Sequence, residues 1–161
     1  MSHLGISRAL AATMLAAVVL ATLPAPAAAQ GAGPFQYYSV TPCRVADTRT
    51  PSPGSPVGDQ QIRTFVVQGV CGVPVGARAV SLNITALGPN GQGFLTAFPT
   101  GITRPVVSSL NFSAGEPALG NGALVPLADQ SAHPSDLSIF ARVAAAGGTV
   151  HIVIDVTGYF Q

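Results

Sequence analysis

Apolar and polar residues alternate in short stretches along most of this chain, and glycine, proline, asparagine and aspartate punctuate them. A period of two sends successive side chains to opposite faces of a strand, whereas a helix needs apolar residues three and four apart. In residues 79–87, Val80, Leu82, Ile84 and Ala86 line one face while Ser81, Asn83 and Thr85 line the other. Near the C-terminus Val150, Ile152, Ile154 and Val156 share a face, opposite His151, Val153, Asp155 and Thr157. Comparable runs occupy residues 35–41, 62–68, 93–98, 106–112, 123–127 and 137–143. Gly147 and Gly148 lie between the last two runs, which predicts a β-hairpin there. Residues 50–60 hold three prolines and two glycines and predict a surface loop.

About eight short strands spaced in this way cannot bury both faces of one flat sheet. The expected fold is therefore all-β, a two-layer β-sandwich of about eight short antiparallel strands, with a closed barrel as the alternative.

Residues 1–29 stand apart from this pattern. Arg8 precedes an uncharged Ala/Leu/Val-rich run that stops at Pro24, and Ala27, Ala28 and Ala29 give a small-x-small cleavage pattern. The run is short of the roughly 20 residues that span a bilayer. Residues 1–29 are expected to be a signal peptide cut between Ala29 and Gln30, leaving residues 30–161 as one secreted domain. The expected location is extracellular or periplasmic, with no membrane span once the signal is removed.

Composition narrows the function classes. All seven cations are arginines, one of them is Arg8, and there are six acids, so the exported part is close to neutral. That leaves no electrostatic footprint for nucleic acid or an anionic membrane. The two cysteines, Cys43 and Cys71, are expected to pair in an oxidising compartment; a reactive thiol or a metal pair is the alternative.

Several ordered motifs resemble a module found in secreted bacterial proteins, alone, in tandem or appended to exported hydrolases. They are Tyr38 to Val45 (YSVTPCRV), Asp47-Thr48-Arg49, Cys71-Gly72-Val73-Pro74, AVSLNIT from Ala79, GFLTAFP from Gly93, Ser109-Leu110-Asn111-Phe112, and HIVIDVTGYF from His151. The resemblance spans residues 35–161 and implies a β-sandwich-like module with Cys43 and Cys71 paired. Attachment to hydrolases implies an accessory or surface-binding role, and it brings no established activity.

The residues offer little catalytic chemistry. His133 lies in a Ser/Pro/Asp loop. His151 shares a strand face with Asp155, but residues four apart on a strand are roughly 13 Å apart, too far for a dyad. Asp59, Glu116, Asp129 and Asp136 read as loop or turn acids, and no spacing singles out a carboxylate pair or a metal site. No catalytic residue, cofactor or metal is therefore expected. Asp155 sits in the most apolar strand, where an isolated carboxylate is costly to bury. It should face solvent or pair with Arg44 or Arg49, tying the segment around Asp47 to the last strand, and its loss should lower the melting temperature substantially. Tyr37, Tyr38 and Tyr159 are candidate ligand-contact aromatics, since one of the adjacent pair Tyr37 and Tyr38 must point away from the core. Asn83 and Asn111 match the glycosylation sequon and read as ordinary strand positions. The function expected is a non-catalytic extracellular binding or accessory module for a cell-surface component or glycan. The alternatives are a self-assembling structural protein, pairing through edges at residues 35–41 or 150–160, and a hydrolase with an unrecognised site.

Overall fold

The computed structural model describes residues 33–51 and 54–161; the proposed signal peptide and its Ala29–Gln30 junction lie outside the described residues. The described chain folds as nine strands: β1 (Tyr37–Asp47), β2 (Val57–Gly58), β3 (Gln61–Phe65), β4 (Ala79–Leu87), β5 (Gly93–Pro99), β6 (Leu110–Phe112), β7 (Leu119–Pro126), β8 (Leu137–Val143) and β9 (Thr149–Phe160). β2 arises within the stretch expected to be a surface loop, and of the run 106–112 only the last three residues are strand. No helix occurs among the described residues, so none there is long and apolar enough to cross a membrane.

The strands form two antiparallel sheets. The first runs β1-β9-β4-β7, with β2 also beside β9, and the second runs β3-β8-β5-β6. No strand belongs to both sheets, so the fold is a β-sandwich and not a closed barrel. The core lies between them, as the alternation requires. Val80 and Ile84 of β4 and Ile152, Ile154 and Val156 of β9 meet Leu95 of β5 and Leu137, Ile139 and Ala141 of β8, all fully buried. Each large apolar side chain so buried contributes roughly 1.5–3 kcal/mol.

Two expectations are overturned. Residues 137–143 and 150–156 do not form a hairpin, because β8 belongs to the second sheet and β9 to the first. Both strands carry a fully apolar inner face, and placing them in opposite layers lets those faces cover each other. The glycines serve that crossing: Gly147 has φ 62°, and a Cβ on Gly148 would collide with the Val143 carbonyl. Nor is residues 150–160 an edge. β9 pairs β1 on one side and β4 on the other, and is an interior strand of its sheet. β1, by contrast, is an edge strand. It runs on past Pro42 to Asp47, with register shifts between Ser39 and Cys43 and between Arg44 and Ala46. Such bulges let an edge strand accommodate a proline.

The disulfide joins Cys43 of β1 to Cys71, with Cα atoms 5.6 Å apart. Cys71 sits at φ 55°, in the left-handed region, within a turn where Gly69 N donates to Val73 O at 2.7 Å. The same loop is fastened by Asp136, which is fully buried. Its carboxylate accepts the backbone N–H groups of Val67 at 2.9 Å and Gln68 at 2.7 Å, and the Gln130 amide at 2.8 Å. The loop position read from the sequence holds, and within that loop Asp136 is a buried anchor.

Candidate functional site

The two outer faces of the sandwich differ. On the second sheet, residues 100–109 fold back over the strands: Thr96 Oγ1 donates to Val107 O at 2.6 Å, and the Arg104 guanidinium lies 4.2 Å from the Phe140 ring centre. On the first sheet most outward residues of β4 and β9 stay partly exposed and are mostly polar; Val153 and Gly158 are the buried ones.

Register places Arg44, Asp155 and Asn83 in one row across β1, β9 and β4, and Gly122 continues that row on β7. Neighbouring strands are about 4.8 Å apart, so the row is roughly 14 Å long. Arg44 meets Asp155 through two bonds, Nε to Oδ1 at 2.8 Å and Nη2 to Oδ2 at 3.1 Å. Arg49, the other cation considered, instead clasps Asp47 at 2.9 and 2.7 Å. Arg44 Nη1 also lies 3.6 Å from Asp47, so the four groups form one chain of alternating charge. The Arg49 guanidinium bond is the main cause that holds the Asp47 carboxyl down at about 2. Donating to Asp155 in turn raises Arg44 above its ordinary value.

The pair is not a deep one. The Arg44 side chain is 51% exposed and Asp155 24%. An ion pair at such a surface is worth about 1 kcal/mol or less, so the substantial melting-temperature loss expected for Asp155 shrinks accordingly.

Farther along the same face, Ser81 Oγ and Thr157 Oγ1 are 2.9 Å apart, and the Tyr37 hydroxyl donates to Thr157 O at 3.3 Å. Gly158 opposes Ser81 in register, three residues beyond Asp155 and about 10 Å along the strand. Tyr37 lies over it: a Cβ on Gly158 would collide with the phenol ring. Tyr37 is still 50% exposed and tilts against Phe160, with ring centres 5.2 Å apart. Its neighbour Tyr38 faces the other way and stacks on Tyr159, which packs against the core. Of the three candidate tyrosines, only Tyr37 joins the polar row. On the other flank β7 places Gly122 opposite Asn83 and Gly120 opposite Thr85, so the row ends without a side chain on β7, although Leu124, opposite Ser81, stands on the same face.

The alternation of β4 had already turned Ser81, Asn83 and Thr85 outward. Neither Gly158 nor the glycines of β7 could be tied to the site without the register of β9 and β7.

The structure also disposes the remaining chemistry. His151 Nδ1 lies 3.0 Å from Thr48 Oγ1, a base beside a hydroxyl, but Thr48 is fully buried and its oxygen accepts the Ile152 N–H at 2.8 Å. No substrate carbonyl can reach it. Two hollows flank Phe94 on the second sheet, of ≈ 220 and ≈ 320 Å³; their linings include Arg104, Ser108 and Asn111 in one and Arg142 in the other, and neither joins a base to a hydroxyl. Among the described residues, no three His, Cys, Asp or Glu side chains come together to hold a metal ion.

The fold and this face define a disulfide-linked, two-sheet β-sandwich with an open polar surface. Comparison with protein-family models and with curated proteins returns no match.

Proposed function

We propose that this protein is a non-catalytic extracellular module that binds an uncharged cell-surface glycan on the outer face of its first sheet. The observation that carries the reading is the seat of Tyr37 over Gly158, beside the hydroxyls of Ser81 and Thr157 and on the same face as the row of Asp155, Arg44 and Asn83. A half-exposed phenol ring offers a flat apolar surface to the C–H face of a sugar. A carboxylate, a guanidinium and an amide spaced along a row offer both donors and acceptors to its hydroxyls. Arg44 and Arg49 are balanced by Asp47 and Asp155, so the face exerts little net pull on a charged polymer. The open end at Gly120 and Gly122 lets a chain ligand run on past β7. Export is supported by the leader-like residues 1–29 and by the Cys43–Cys71 disulfide, which persists in oxidising compartments. The likeness to modules attached to exported hydrolases points the same way.

The test is affinity electrophoresis in gels containing neutral cell-wall polysaccharides. One aromatic contact of about 1.4 kcal/mol corresponds to a tenfold change in affinity, so Tyr37→Ala should weaken retention about tenfold while leaving the melting temperature near that of the wild type. Retention that Tyr37→Ala and Asn83→Ala leave untouched would refute the site.

A further inference from the structure

Besides the two-residue β2, four strands border the two sheets, and they are guarded very unequally. A free edge exposes unpaired N–H and C=O groups and invites another strand unless bulges, proline, charge or shortness prevents it. β1 carries Pro42, Arg44 and two register shifts. β3 is five residues long and bears Arg63, and β6 has only three residues. β7 has none of these protections. Its eight residues, Leu-Gly-Asn-Gly-Ala-Leu-Val-Pro, are uncharged, reach proline only at the last position, and pair with β4 through eight consecutive positions without a shift. It has no other strand neighbour among the described residues.

Exposed apolar surface collects at this same side. Three of the four most exposed large hydrophobic residues described are Val106 at 93%, Leu124 at 67% and Val107 at 59%. Leu124 is on β7 itself. The two valines lie in the segment that β7 holds through Asn121, whose Nδ2 donates to Ser109 O at 2.7 Å.

We infer that β7 pairs antiparallel with β7 of a second copy of this chain about a two-fold axis at Gly122. The sequence of the strand selects both partner and register. With Gly122 opposite its own copy, Leu124 opposes Gly120, Asn121 opposes Ala123, and each contact occurs twice. The exposed Leu124 side chain then lies beside Gly120, which has no side chain of its own to oppose it, and no like charges meet. A one-residue slip would set Leu124 opposite Asn121 and turn it to the wrong face. The product is one continuous sheet, β1-β9-β4-β7 followed by its two-fold copy, with the polar faces of both copies on the same side. A single strand pair buries less than a standard interface, so the dimer is weak and concentration-dependent. This inference stands apart from the glycan-binding reading: it concerns the edge of the sheet and survives if no sugar binds.

Gly122 is a suitable probe because it needs no left-handed backbone, and an added Cβ would meet only Leu82 O at 3.9 Å. Sedimentation equilibrium of the purified protein from micromolar to millimolar should show a monomer–dimer equilibrium. Gly122→Cys should cross-link to itself under mild oxidation, since directly paired residues lie within disulfide reach. Leu124→Cys, four residues off register with its own copy, should not. Gly122→Lys should weaken the dimer at least about tenfold by setting like charges face to face, without lowering the melting temperature. The inference is overturned by a monomer throughout the range, by Gly122→Cys failing to cross-link, by equal cross-linking from position 124, or by an unchanged dimer in Gly122→Lys.

Discussion

Asp136 provides the sharpest stability prediction, because an acid with no ion-pair partner among the described residues is held at the centre of a loop junction. Its two oxygens accept the N–H groups of Val67 and Gln68, both buried bonds, and the Gln130 amide. Its own backbone extends the junction: Asp136 N donates to Phe65 O at 3.2 Å, and Asp136 O accepts from Ala128 N at 2.9 Å. Replacing Asp136 with Ala leaves two buried backbone donors unpaired, at about 1–3 kcal/mol each, while the Gln130 amide can turn to water. The expected loss is about 4 kcal/mol, a large part of the stability of a domain this size. Asp136→Asn is the finer probe. It has the same shape and no charge to desolvate, but one acceptor becomes an NH2 group facing an N–H donor. That substitution should cost about 2–3 kcal/mol and lower the melting temperature by roughly 10 °C. Urea unfolding of the oxidised protein, followed by tyrosine fluorescence, measures both changes. If Asp136→Asn falls within about 1 kcal/mol of wild type, hydrogen bonding to the carboxylate is not what fastens residues 66–78, and the reasoning fails.

Other outcomes follow from the same geometry. Asp155→Ala should cost about 1 kcal/mol or less by urea unfolding, because its pair with Arg44 is half in solvent; a loss as large as that of Asp136→Ala would contradict the surface placement. Asp47 titrates at about 2 in the folded chain and near 3.9 when unfolded. Its folded value is the lower one, so its contribution is complete above pH 4 and lost as the pH falls from about 4 towards 2. Asp59, lowered chiefly by the Val143 N–H, and Asp129, lowered chiefly by the Ser131 N–H, add in the same direction. Melting temperature should therefore be flat in this respect above pH 5 and drop below pH 4; a steady rise on acidification would contradict these assignments. Gly158→Ala should displace the Tyr37 ring with only a small loss of stability, since that ring is half exposed and can swing outward, and glycan retention should fall as it does for Tyr37→Ala. Retention equal to wild type would remove Tyr37 from the site.

The local part of this fold is legible in the chain because a period of two is a local property. β4 and β8 begin and end where alternation begins and ends, and the inner faces of β4 and β9 are the ones their apolar residues predict. What alternation does not encode is which strands become neighbours. Two alternating runs joined across Gly147-Gly148 look the same whether they pair side by side or cross between layers, and the apolar inner faces settle that choice only once both layers exist. Residues 57–58 of β2 lie in a proline-rich stretch with no period to read, and their pairing is supplied by β9. The site divides in the same way. The strand that Asp155 occupies required it to face solvent or to find a cation, and register determines that the cation is Arg44. Asp136 was missed because its partners are backbone N–H groups, which carry no signature in side-chain sequence. The Tyr37 seat was missed because it depends on an absent Cβ at Gly158, on a different strand.

The claim on which the functional account turns is that sugar binds across β1, β9 and β4. Titrating the isotopically labelled protein with a neutral oligosaccharide released from cell wall, and following backbone amide shifts by NMR, tests it directly. The account predicts saturable shifts concentrated at Tyr37, Arg44, Ser81, Asn83, Asp155 and Gly158, with the second sheet unmoved. Shifts centred on Phe94 and Arg104, or none at saturating sugar, would contradict it.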